Sequence, residues 1–439
     1  MFREATSRWR GTITILAALI SAVDLRPEKG AAGVAVDVNR AGLSLAHRTW
    51  RLLPAGMRRR AMTRVAGLVA PRPPRVPPAI SHGVVVAGDV EGANGLAESA
   101  RLMHDVLAGL GVARGLVPLG LPSVVPALRV LPPADAALLA VVNAPFLPVG
   151  LARAPRGLLH NRRVIGLFAW ELPAVPPDWH EGARFVHEIW APSRFCAAAF
   201  EPLAPGRVRV VPHPLAALPD LPVEGVRADF GLPEDALIVL VVANIASSHV
   251  RKNPEAAIRA FRLAFGDRAD RHLVLKLAGT DACPEDFQAI LREIGAAPNV
   301  TVITEVIAEP RLRGLIAASD IVLSLHRAEG FGLVPATAML LARPVVATGW
   351  SGNMDFMDAQ SAALVGYRLV AVDDPRGVYA VDGAVWAEPD IADAAAQLQR
   401  LAGDKAARTA LAIRGREHAR QALGAGPVQA ALAASGIVP

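Results

Sequence analysis

The sequence predicts an α/β protein made of two parallel-sheet domains that face a central cleft. The chain has 439 residues, enough for two or three domains that each bury a core. From His82 onward, short apolar runs typical of buried parallel strands alternate with segments of helical spacing, and the alternation restarts once. Alternating β and α elements imply right-handed crossovers and helices on both faces of each sheet. Two such blocks in tandem predict two Rossmann-like domains.

Composition divides the chain into four segments: a basic, partly helical N-terminal extension, two α/β domains and a helical tail. Their predicted boundaries are 1–80, 81–222, 223–405 and 406–439. In the extension a helix is predicted over 43–70, and the five prolines that follow, up to residue 78, indicate an extended linker. The arginines of this helix fit two interpretations, attachment to an anionic membrane surface or a solvated helix packed on the main body.

The elements of the two domains follow in order. In the first domain, strands are predicted at 84–88, 138–142, 164–170, 185–191 and 208–211. An interdomain linker spans 213–222. In the second domain, strands are predicted at 237–243, 273–278, 300–304, 321–325 and 345–348. Helices are predicted to begin near Pro254, Pro284, Glu309 and Leu333. Proline suits a first helical turn because its missing N–H would have no partner there.

Charge and cysteine content argue against several classes of function. The chain has 46 basic and 40 acidic residues, a net charge of +6, and only four lysines. No zinc-finger spacing or RNA-binding signature accompanies the arginines, so no nucleic-acid partner is predicted. Two cysteines, Cys196 and Cys283, cannot form a disulfide framework, and with no secretory signal a cytoplasmic protein is expected. The apolar run at 13–23 is shorter than the roughly 20 residues that cross a bilayer.

Two glycine-rich turns follow predicted strands of the second domain. The first, Glu-Gly-Phe-Gly-Leu at 329–333, leads into a helix. Its glycines allow the backbone to approach a ligand closely, and the helix N-terminus offers unpaired N–H groups to an anion. The second, Thr-Gly-Trp-Ser-Gly-Asn at 348–353, follows the next strand. Because ligands bind beyond the carboxyl ends of parallel strands, both turns belong to a candidate cleft, although each alone is also typical of a structural turn.

A basic pair stands in the loop after the first strand of the second domain. Arg251 and Lys252 directly precede the helix predicted from Pro254. Because a helix N-terminus disfavours cations, this placement favours an anionic partner, such as a diphosphate, over a solvated surface pair. Lysine is scarce in this chain, which makes Lys252 more notable.

Together these segments resemble the retaining glycosyltransferases of family 4, the "glycosyl transferases group 1" domain, which have the GT-B fold. The resemblance rests on 251–254, 329–333 and 348–353 and extends over about residues 230–400. The first domain is similar to the partner half of bacterial relatives at four places: 95–101, 168–173, 188–193 and 211–214.

The resemblance implies a nucleotide-sugar donor, such as a UDP- or GDP-hexose, and a saccharide or lipid-linked acceptor, in the synthesis of cell-surface polysaccharide or glycoconjugates. It further implies retention of the anomeric configuration, with no cofactor and no obligatory metal. The implied catalytic residues are Lys252, Glu329 and Glu171. The implied donor-binding residues are Ser247, Arg251, Lys252, His326, Glu329, Gly330, Phe331, Gly332, Leu333 and Thr337. The implied acceptor-binding residues are Asn94, Gly95 and Trp170.

The sequence departs from the family pattern in the donor site. Ser247 occupies the place of the family's arginine, five residues before Lys252, so Arg251 is the candidate substitute. The second glutamate of the Glu-x7-Glu motif is Thr337, whose hydroxyl binds a ribose more weakly than a carboxylate does.

The first domain departs as well, because Trp170 and Glu171 stand where many relatives carry a His-Asp pair. They fit either contact with a sugar or a core indole beside a helix-capping acid. These departures keep alternatives open: a non-catalytic nucleotide- or sugar-binding subunit that scaffolds a polysaccharide assembly complex and, more weakly, a GT-B phosphorylase or sugar epimerase. A peripheral contact with the cytoplasmic face of the membrane is one interpretation of the basic extension.

Overall fold

The computed structural model describes residues 55–92, 94–120, 131–216 and 223–439. Within these ranges the chain forms two six-stranded parallel sheets and two smaller two-stranded sheets. The two large sheets with their flanking helices confirm the predicted fold class. Within the same ranges, no helix combines the length and the apolar character that crossing a membrane requires.

The first large sheet has the strand order β3-β2-β4-β5-β6-β7. Its strands are β2 (Val84–Gly88), β3 (Ala113–Pro118), β4 (Ala137–Val141), β5 (Val164–Leu167), β6 (Glu188–Ala191) and β7 (Val208–Val210). The helices around it are α1 (Ala55–Val69), α2 (Gly95–Gly109), α3 (Leu147–Arg153), α4 (Trp179–Ala183) and α5 (Arg194–Phe200). The four central strands are buried along their whole length, as a sheet covered on both faces requires. Edge strand β3 is partly exposed and has no β-branched run, which explains why its sequence did not predict it.

The second large sheet has the order β10-β9-β8-β11-β12-β13. Its strands are β8 (Leu237–Asn244), β9 (Arg271–Ala278), β10 (Val300–Ile303), β11 (Ile321–Ser324), β12 (Val345–Thr348) and β13 (Ala363–Val365). Its helices are α6 (Val226–Asp229), α7 (His249–Lys252), α8 (Pro254–Phe265), α9 (Pro284–Ile294), α10 (Glu309–Ala318), α11 (Leu333–Leu340) and α12 (Ile391–Gly403). The helices predicted near Pro254, Pro284, Glu309 and Leu333 begin at those residues.

An antiparallel hairpin extends from the second domain. It consists of β14 (Tyr367–Ala371) and β15 (Val385–Pro389), joined by residues 372–384. Most of β14 is exposed, so the segment lacks the continuous apolar run by which the buried strands were predicted. The loop of this hairpin reaches the first domain, as described below.

The C-terminal tail is shared between the two domains. Helix α13 (Lys405–Ala422) packs on the second domain, against α11 and α12. Helix α14 (Gly426–Ala434) contributes Val428 and Leu432 to the core of the first domain. The final strand β16 (Ile437–Val438) then pairs in parallel with β1 (Ser81–His82). The chain therefore crosses between the domains twice, once after β7 and once near its end.

The described part of the extension packs on the first domain. Helix α1 contacts α3 and α4, and the Thr63 hydroxyl donates to the Pro145 carbonyl oxygen (2.9 Å). The helix was predicted over 43–70, and the part before residue 55 lies outside the described residues. Residues 71–80 form neither helix nor strand, in agreement with an extended linker. Of the linker predicted at 213–222, residues 217–222 also lie outside the described ranges.

Candidate active site

The candidate site is built on two loops at the carboxyl edge of the second sheet. Helix α7, which follows β8, lies between two non-glycine residues with positive φ, Ser248 (97°) and Asn253 (54°). The Ser248 hydroxyl accepts a hydrogen bond from the Arg251 N–H (3.2 Å) and caps this helix. Such backbone conformations cost about 1–3 kcal/mol each, so the surrounding structure must hold them. Because the positive-φ residue Asn253 ends the helix, Lys252 is the last residue of α7.

Hydrogen bonds join α7 to the loop after β11. The Arg327 N–H donates to the Arg251 carbonyl oxygen (2.8 Å), and Nη1 of Arg251 donates to the Ala328 carbonyl oxygen (2.7 Å). This pairing brings the Nζ of Lys252 into a direct hydrogen bond with Oε1 of Glu329. The two residues that the sequence analysis placed at the centre of the site are therefore in contact.

Glu329 is a buried carboxylate held in its ionised form. The residue is 8% exposed, and Nη1 of Arg251 lies 3.3 Å from its second oxygen. Burial by itself would raise the pKa of Glu329, but Lys252 and Arg251 outweigh it and lower the pKa to about 2. At neutral pH this group can accept hydrogen bonds from hydroxyls but has no proton to give. It suits orienting a sugar hydroxyl and does not suit general-acid chemistry.

Arg251 and Lys252 differ sharply in what they can reach. Arg251 is 2% exposed and lies between two carboxylates, with Nη2 3.5 Å from Glu171 and Nη1 near Glu329. Burial by itself would lower the pKa of Arg251, but the neighbouring Tyr379 and the carboxylates of Glu171 and Glu329 raise it. The Lys252 side chain keeps 22% of its surface exposed. Lys252 is therefore the more accessible cation, and Arg251 holds the acidic groups of the site together.

The turn between Glu329 and α11 presents a row of free donors. In the described part of the chain, the N–H groups of residues 330–333 have no hydrogen-bond acceptor. Gly332 has a φ of 99°, which a side chain would strain, and it places the turn at the start of α11. The Phe331 side chain is buried, and its ring centroid lies 4.7 Å from that of His213. Unpaired N–H groups at a helix start form an anion-binding feature.

The first domain packs directly on this turn. The Ser193 hydroxyl, at the start of α5, donates to the Gly330 carbonyl oxygen (2.6 Å). On the other side, a Cβ at Gly352 would lie 2.1 Å from the same oxygen, so only glycine fits there. The Arg194 N–H also donates to Asp355 (2.8 Å), across the two domains. The turn is thus clamped between both halves of the molecule.

Three further implied donor-site residues lie outside the contact between Lys252 and Glu329. His326 has no exposed surface, and its ring nitrogens bond to Ser324 (3.0 Å) and to Asn353 and the Trp350 carbonyl (3.0 and 3.3 Å). It connects the two glycine-rich turns and has no free nitrogen for a ligand. Thr337 is 6% exposed in the second turn of α11. Ser247 is exposed just before α7, and its hydroxyl donates to the Asn244 carbonyl oxygen (2.8 Å).

The implied acceptor residues divide into two groups. Asn94 caps α2 by accepting from the N–H groups of Leu96 and Ala97, and it is exposed. A Cβ at Gly95 would lie 3.7 Å from a methyl of Leu333, so the starts of α2 and α11 are close together across the cleft. The Trp170 ring, in contrast, is 7% exposed and packs 5.2 Å from both Trp179 and Tyr379. This packing favours the core-indole interpretation of Trp170.

Tyr379 is a member of the site that the sequence analysis missed. It lies in the loop of the β14–β15 hairpin, is 3% exposed, and donates its hydroxyl to Glu171 (3.1 Å). Arg251 lies over its ring, 5.6 Å from the centroid. Burial raises the pKa of Tyr379, which keeps its proton on the hydroxyl. No local sequence pattern predicts a role for Tyr379, because its partners Glu171 and Arg251 come close only when the hairpin packs over both domains.

Comparison with solved structures defines the class of fold. HepE of Anabaena, solved with UDP and glucose, is 15% identical, with 81% of this chain and 99% of that chain covered and a TM-score of 0.58. Sucrose-phosphate synthase of Thermosynechococcus elongatus is 16% identical, with 80% and 98% covered and a TM-score of 0.59. The architecture is therefore that of the GT-B fold.

Sequence comparison finds a family match in the second domain. Residues 236–404 match the family described as "Glycosyl transferases group 1". The D-inositol 3-phosphate glycosyltransferase of Kineococcus radiotolerans is 30% identical over 234 residues, which cover 51% of this chain. The match covers 49% of that enzyme, so the chain spans about half the length of the curated relative. The resemblance inferred from the three motifs is thereby confirmed.

Proposed function

We propose that this protein is a glycosyltransferase that moves a sugar from a nucleotide-sugar donor to a saccharide or lipid-linked acceptor, in polysaccharide or glycoconjugate synthesis. The observation that carries the proposal is Lys252, partly exposed beside Glu329 and the row of unpaired N–H groups at 330–333. A cation, a sugar-hydroxyl acceptor and an anion-binding helix start meet at one sheet edge. The family of residues 236–404 supports the same conclusion.

The proposed reaction places charge where these groups lie. When the nucleoside diphosphate departs, negative charge develops on its phosphate and the sugar becomes oxocarbenium-like. An ammonium group has three N–H bonds, so Lys252 can keep Glu329 and still donate to a phosphate oxygen. The unpaired N–H groups at 330–333 add further donors, and preorganised donors of this kind stabilise a leaving group electrostatically. Glu329 holds hydroxyls of the transferred sugar.

Retention of configuration and independence from metal ions belong to the same proposal. In the described residues no group of three histidine, cysteine or carboxylate side chains is placed to hold a metal ion. Lys252 and the N–H groups are the groups that stabilise the negative charge of the leaving phosphate in this proposal. Glu171, fixed by Tyr379 and Arg251, keeps 23% of its side-chain surface exposed and is our candidate for orienting a hydroxyl from the first-domain side.

The test is turnover of a panel of nucleotide sugars by the purified full chain. Lys252→Ala should lower kcat by roughly a hundredfold or more, the usual loss when one leaving-group stabiliser is removed. Glu329→Gln should lower kcat and weaken donor binding, because it removes the charge that orients both Lys252 and the sugar. Lys405→Ala, an exposed lysine at the start of α13, is the control and should match the wild type. Full transfer activity in Lys252→Ala would contradict the proposal.

A second candidate is a non-catalytic nucleotide- or sugar-binding subunit of a polysaccharide assembly complex. It is favoured by Ser247 and Thr337, which replace the family's arginine and glutamate with hydroxyls, and by the burial of Thr337. A thermal-shift screen separates the two candidates, because a bound nucleoside diphosphate stabilises the folded state whether or not sugar is transferred. Stabilisation without turnover of any donor would favour the binding subunit.

We further propose a cytoplasmic location with peripheral contact between α1 and the membrane face. Met57 and Leu68 of this helix are 55% and 84% exposed, and Arg58, Arg60 and Arg64 lie on the same helix. Exposed apolar side chains beside arginines favour an anionic membrane surface. Sedimentation with anionic vesicles tests the contact, and Leu68→Ser should reduce it.

A further inference from the structure

A large basic pocket lies on the first domain, away from the candidate active site. It has a volume of about 870 Å³ and lies between the proline-rich segment 71–78 and the segments that lead into β5, β6 and β7. Six arginines line it: Arg72, Arg75, Arg163, Arg184, Arg207 and Arg209. Pockets that hold small ligands have volumes of about 300–1,000 Å³, so this one is large enough for a ligand of several groups.

The pocket is at the opposite edge of the sheet from the active site. Arg163 immediately precedes β5, whereas Trp170 and Glu171 follow the other end of that strand. Arg207 likewise precedes β7. The pocket therefore opens at the amino ends of the strands, and the cleft lies at their carboxyl ends. Its arginines do not take part in the donor site proposed above.

The wall formed by the proline-rich segment is fixed in place. His187, just before β6, accepts a hydrogen bond from the Val164 N–H at Nδ1 (2.8 Å) and donates from Nε2 to the Pro74 carbonyl oxygen (2.8 Å). Arg163 donates to the Pro78 carbonyl oxygen (3.0 Å). Burial lowers the pKa of His187, so it remains the neutral tautomer that makes both bonds. A pre-formed wall loses little ordering entropy when a ligand binds.

The positive charge of the pocket is only partly compensated. Its one lining carboxylate, Glu188, is paired with Arg209 (3.0 Å), while Arg72 and Arg184 share Glu181 (3.6 and 3.3 Å). Across the described ranges, no carboxylate lies within ion-pair distance of the other three arginines, Arg75, Arg163 and Arg207. Arg163 and Arg207 donate hydrogen bonds to backbone carbonyl oxygens, which leave the positive charge in place.

We propose that this pocket binds a phosphate ester. Six arginines line the pocket, and guanidinium groups bind phosphate oxygens through paired N–H bonds. The volume leaves room for the group esterified to the phosphate, either a sugar or a glycerol. Val76, between the lining residues Arg75 and Pro77, is 80% exposed and adds an apolar side chain near the opening. The ligand is thus a phosphorylated saccharide or a phospholipid headgroup, which share this chemistry.

The experiment measures phosphate binding with the active site disabled. In the Lys252→Ala protein, we expect inorganic pyrophosphate to bind in equilibrium dialysis at low salt and to lose affinity as salt rises. Adding Arg75→Glu and Arg184→Glu should weaken binding at least tenfold. Both arginines are exposed, so the fold should persist, and circular dichroism verifies that it does. The matched control carries Arg292→Glu and Arg420→Glu, the same change of charge at exposed positions of α9 and α13.

Vesicles of phosphatidylglycerol, compared with phosphatidylcholine, distinguish the two sources of the phosphate. Binding of anionic vesicles that the pocket variant loses and the control keeps supports a headgroup. Binding of pyrophosphate and glucose 1-phosphate alone, with the same dependence on Arg75 and Arg184, supports a phosphorylated saccharide. Equal weakening by the control, or no binding of any probe, overturns the proposal. Because Lys252 is absent throughout, failure here leaves the proposed transferase activity intact, and the reverse also holds.

Discussion

Arg251 and Lys252 are adjacent in the sequence, yet they take different positions in the site. The strained residues Ser248 and Asn253 on either side of α7 orient one side chain inward and leave the other partly exposed. Arg251 loses nearly all its contact with water but gains Glu171, Glu329 and a carbonyl oxygen. Removing such a buried charge leaves its carboxylate partners buried without a counter-charge, which is usually strongly destabilising. At the residue scale, burial separates the cation that joins the carboxylates of the site from the cation that remains accessible.

His213 is a buried histidine between the domains, and it makes stability sensitive to pH. Its Nε2 lies 3.2 Å from the Ser99 hydroxyl, and burial lowers its pKa to about 4. The unfolded chain takes up this proton near the ordinary pKa of about 6.5, and the folded chain only near 4, so acidification favours the unfolded state in that window. We expect a loss of about 2 kcal/mol from this residue between pH 7 and pH 5.

Urea unfolding of His213→Gln at the two pH values measures the effect. The variant should show a shallower fall in stability between pH 7 and pH 5 than the wild type, even if it is less stable at both. His160→Gln, at an exposed position of the same domain, should keep the wild-type slope. An unchanged slope in His213→Gln would show that the residue does not resist protonation.

The hairpin β14–β15 is the element that contacts both domains at the candidate site. Its loop carries Tyr379 to Glu171 of the first domain and covers Arg251 of the second. Arg376, in the same loop, donates to the Ile245 carbonyl oxygen (3.2 Å) and pairs with Asp286. The loop thus contacts the second domain at Ile245, Asp286 and Arg251 and the first domain at Glu171. Tyr379 acts as a positioning residue for Glu171.

Tyr379→Phe keeps the ring and removes the hydroxyl that fixes Glu171. We expect unfolding stability to fall by about 1 kcal/mol, the usual net value of one hydrogen bond. Misplacement of Glu171 should lower kcat by roughly tenfold, with little change in KM for the donor, because the proposed donor contacts lie on other loops. Steady-state kinetics of the full chain gives both numbers.

The control for this change lies in the same hairpin. Tyr367→Phe alters a tyrosine of β14 that is 42% exposed, and it should leave both stability and kcat unchanged. If Tyr379→Phe lowered stability but left kcat and KM at wild-type values, Glu171 would not depend on the hairpin for its role.

At the scale of the whole molecule, the C-terminal segment stabilises the domain that it reaches last. Leu432 of α14 is 6% exposed and lies in the same core as Val84, Met103 and Leu107 of the first domain. Leu432→Ala should cost about 2–5 kcal/mol, as deletions in a packed core do. Hydrogen exchange should then accelerate in peptides of β2 and α2, far away in sequence, more than in β8 and β9.

Ile413→Ala is the comparison for that experiment. Ile413 is 61% exposed on α13, and its truncation should change exchange in neither domain. Faster exchange confined to the second domain in Leu432→Ala would contradict the assignment of α14 to the first core.

Much of the fold and half of the central site follow from local sequence. Apolar runs of four to eight residues specify the buried strands, and the first-turn prolines Pro254 and Pro284 specify where helices begin. The carboxyl-edge rule then places Lys252 and the Glu329 turn together, because both loops follow neighbouring strands, β8 and β11, of one parallel sheet. These features depend on contacts between residues that are close in sequence, or on the parallel-sheet topology that follows from alternating strands and helices.

Other features exist only once the chain has packed. Tyr379 meets Glu171 across 208 residues, and the pocket joins Arg72 of the linker to Arg209 of β7. Whether Arg251 is buried, or the Trp170 ring lies in a core, depends on which surfaces the two domains cover. The type of a residue determines which hydrogen bonds it can donate or accept. Its charge state and its accessibility depend on burial and on its partners, and these are properties of the folded molecule.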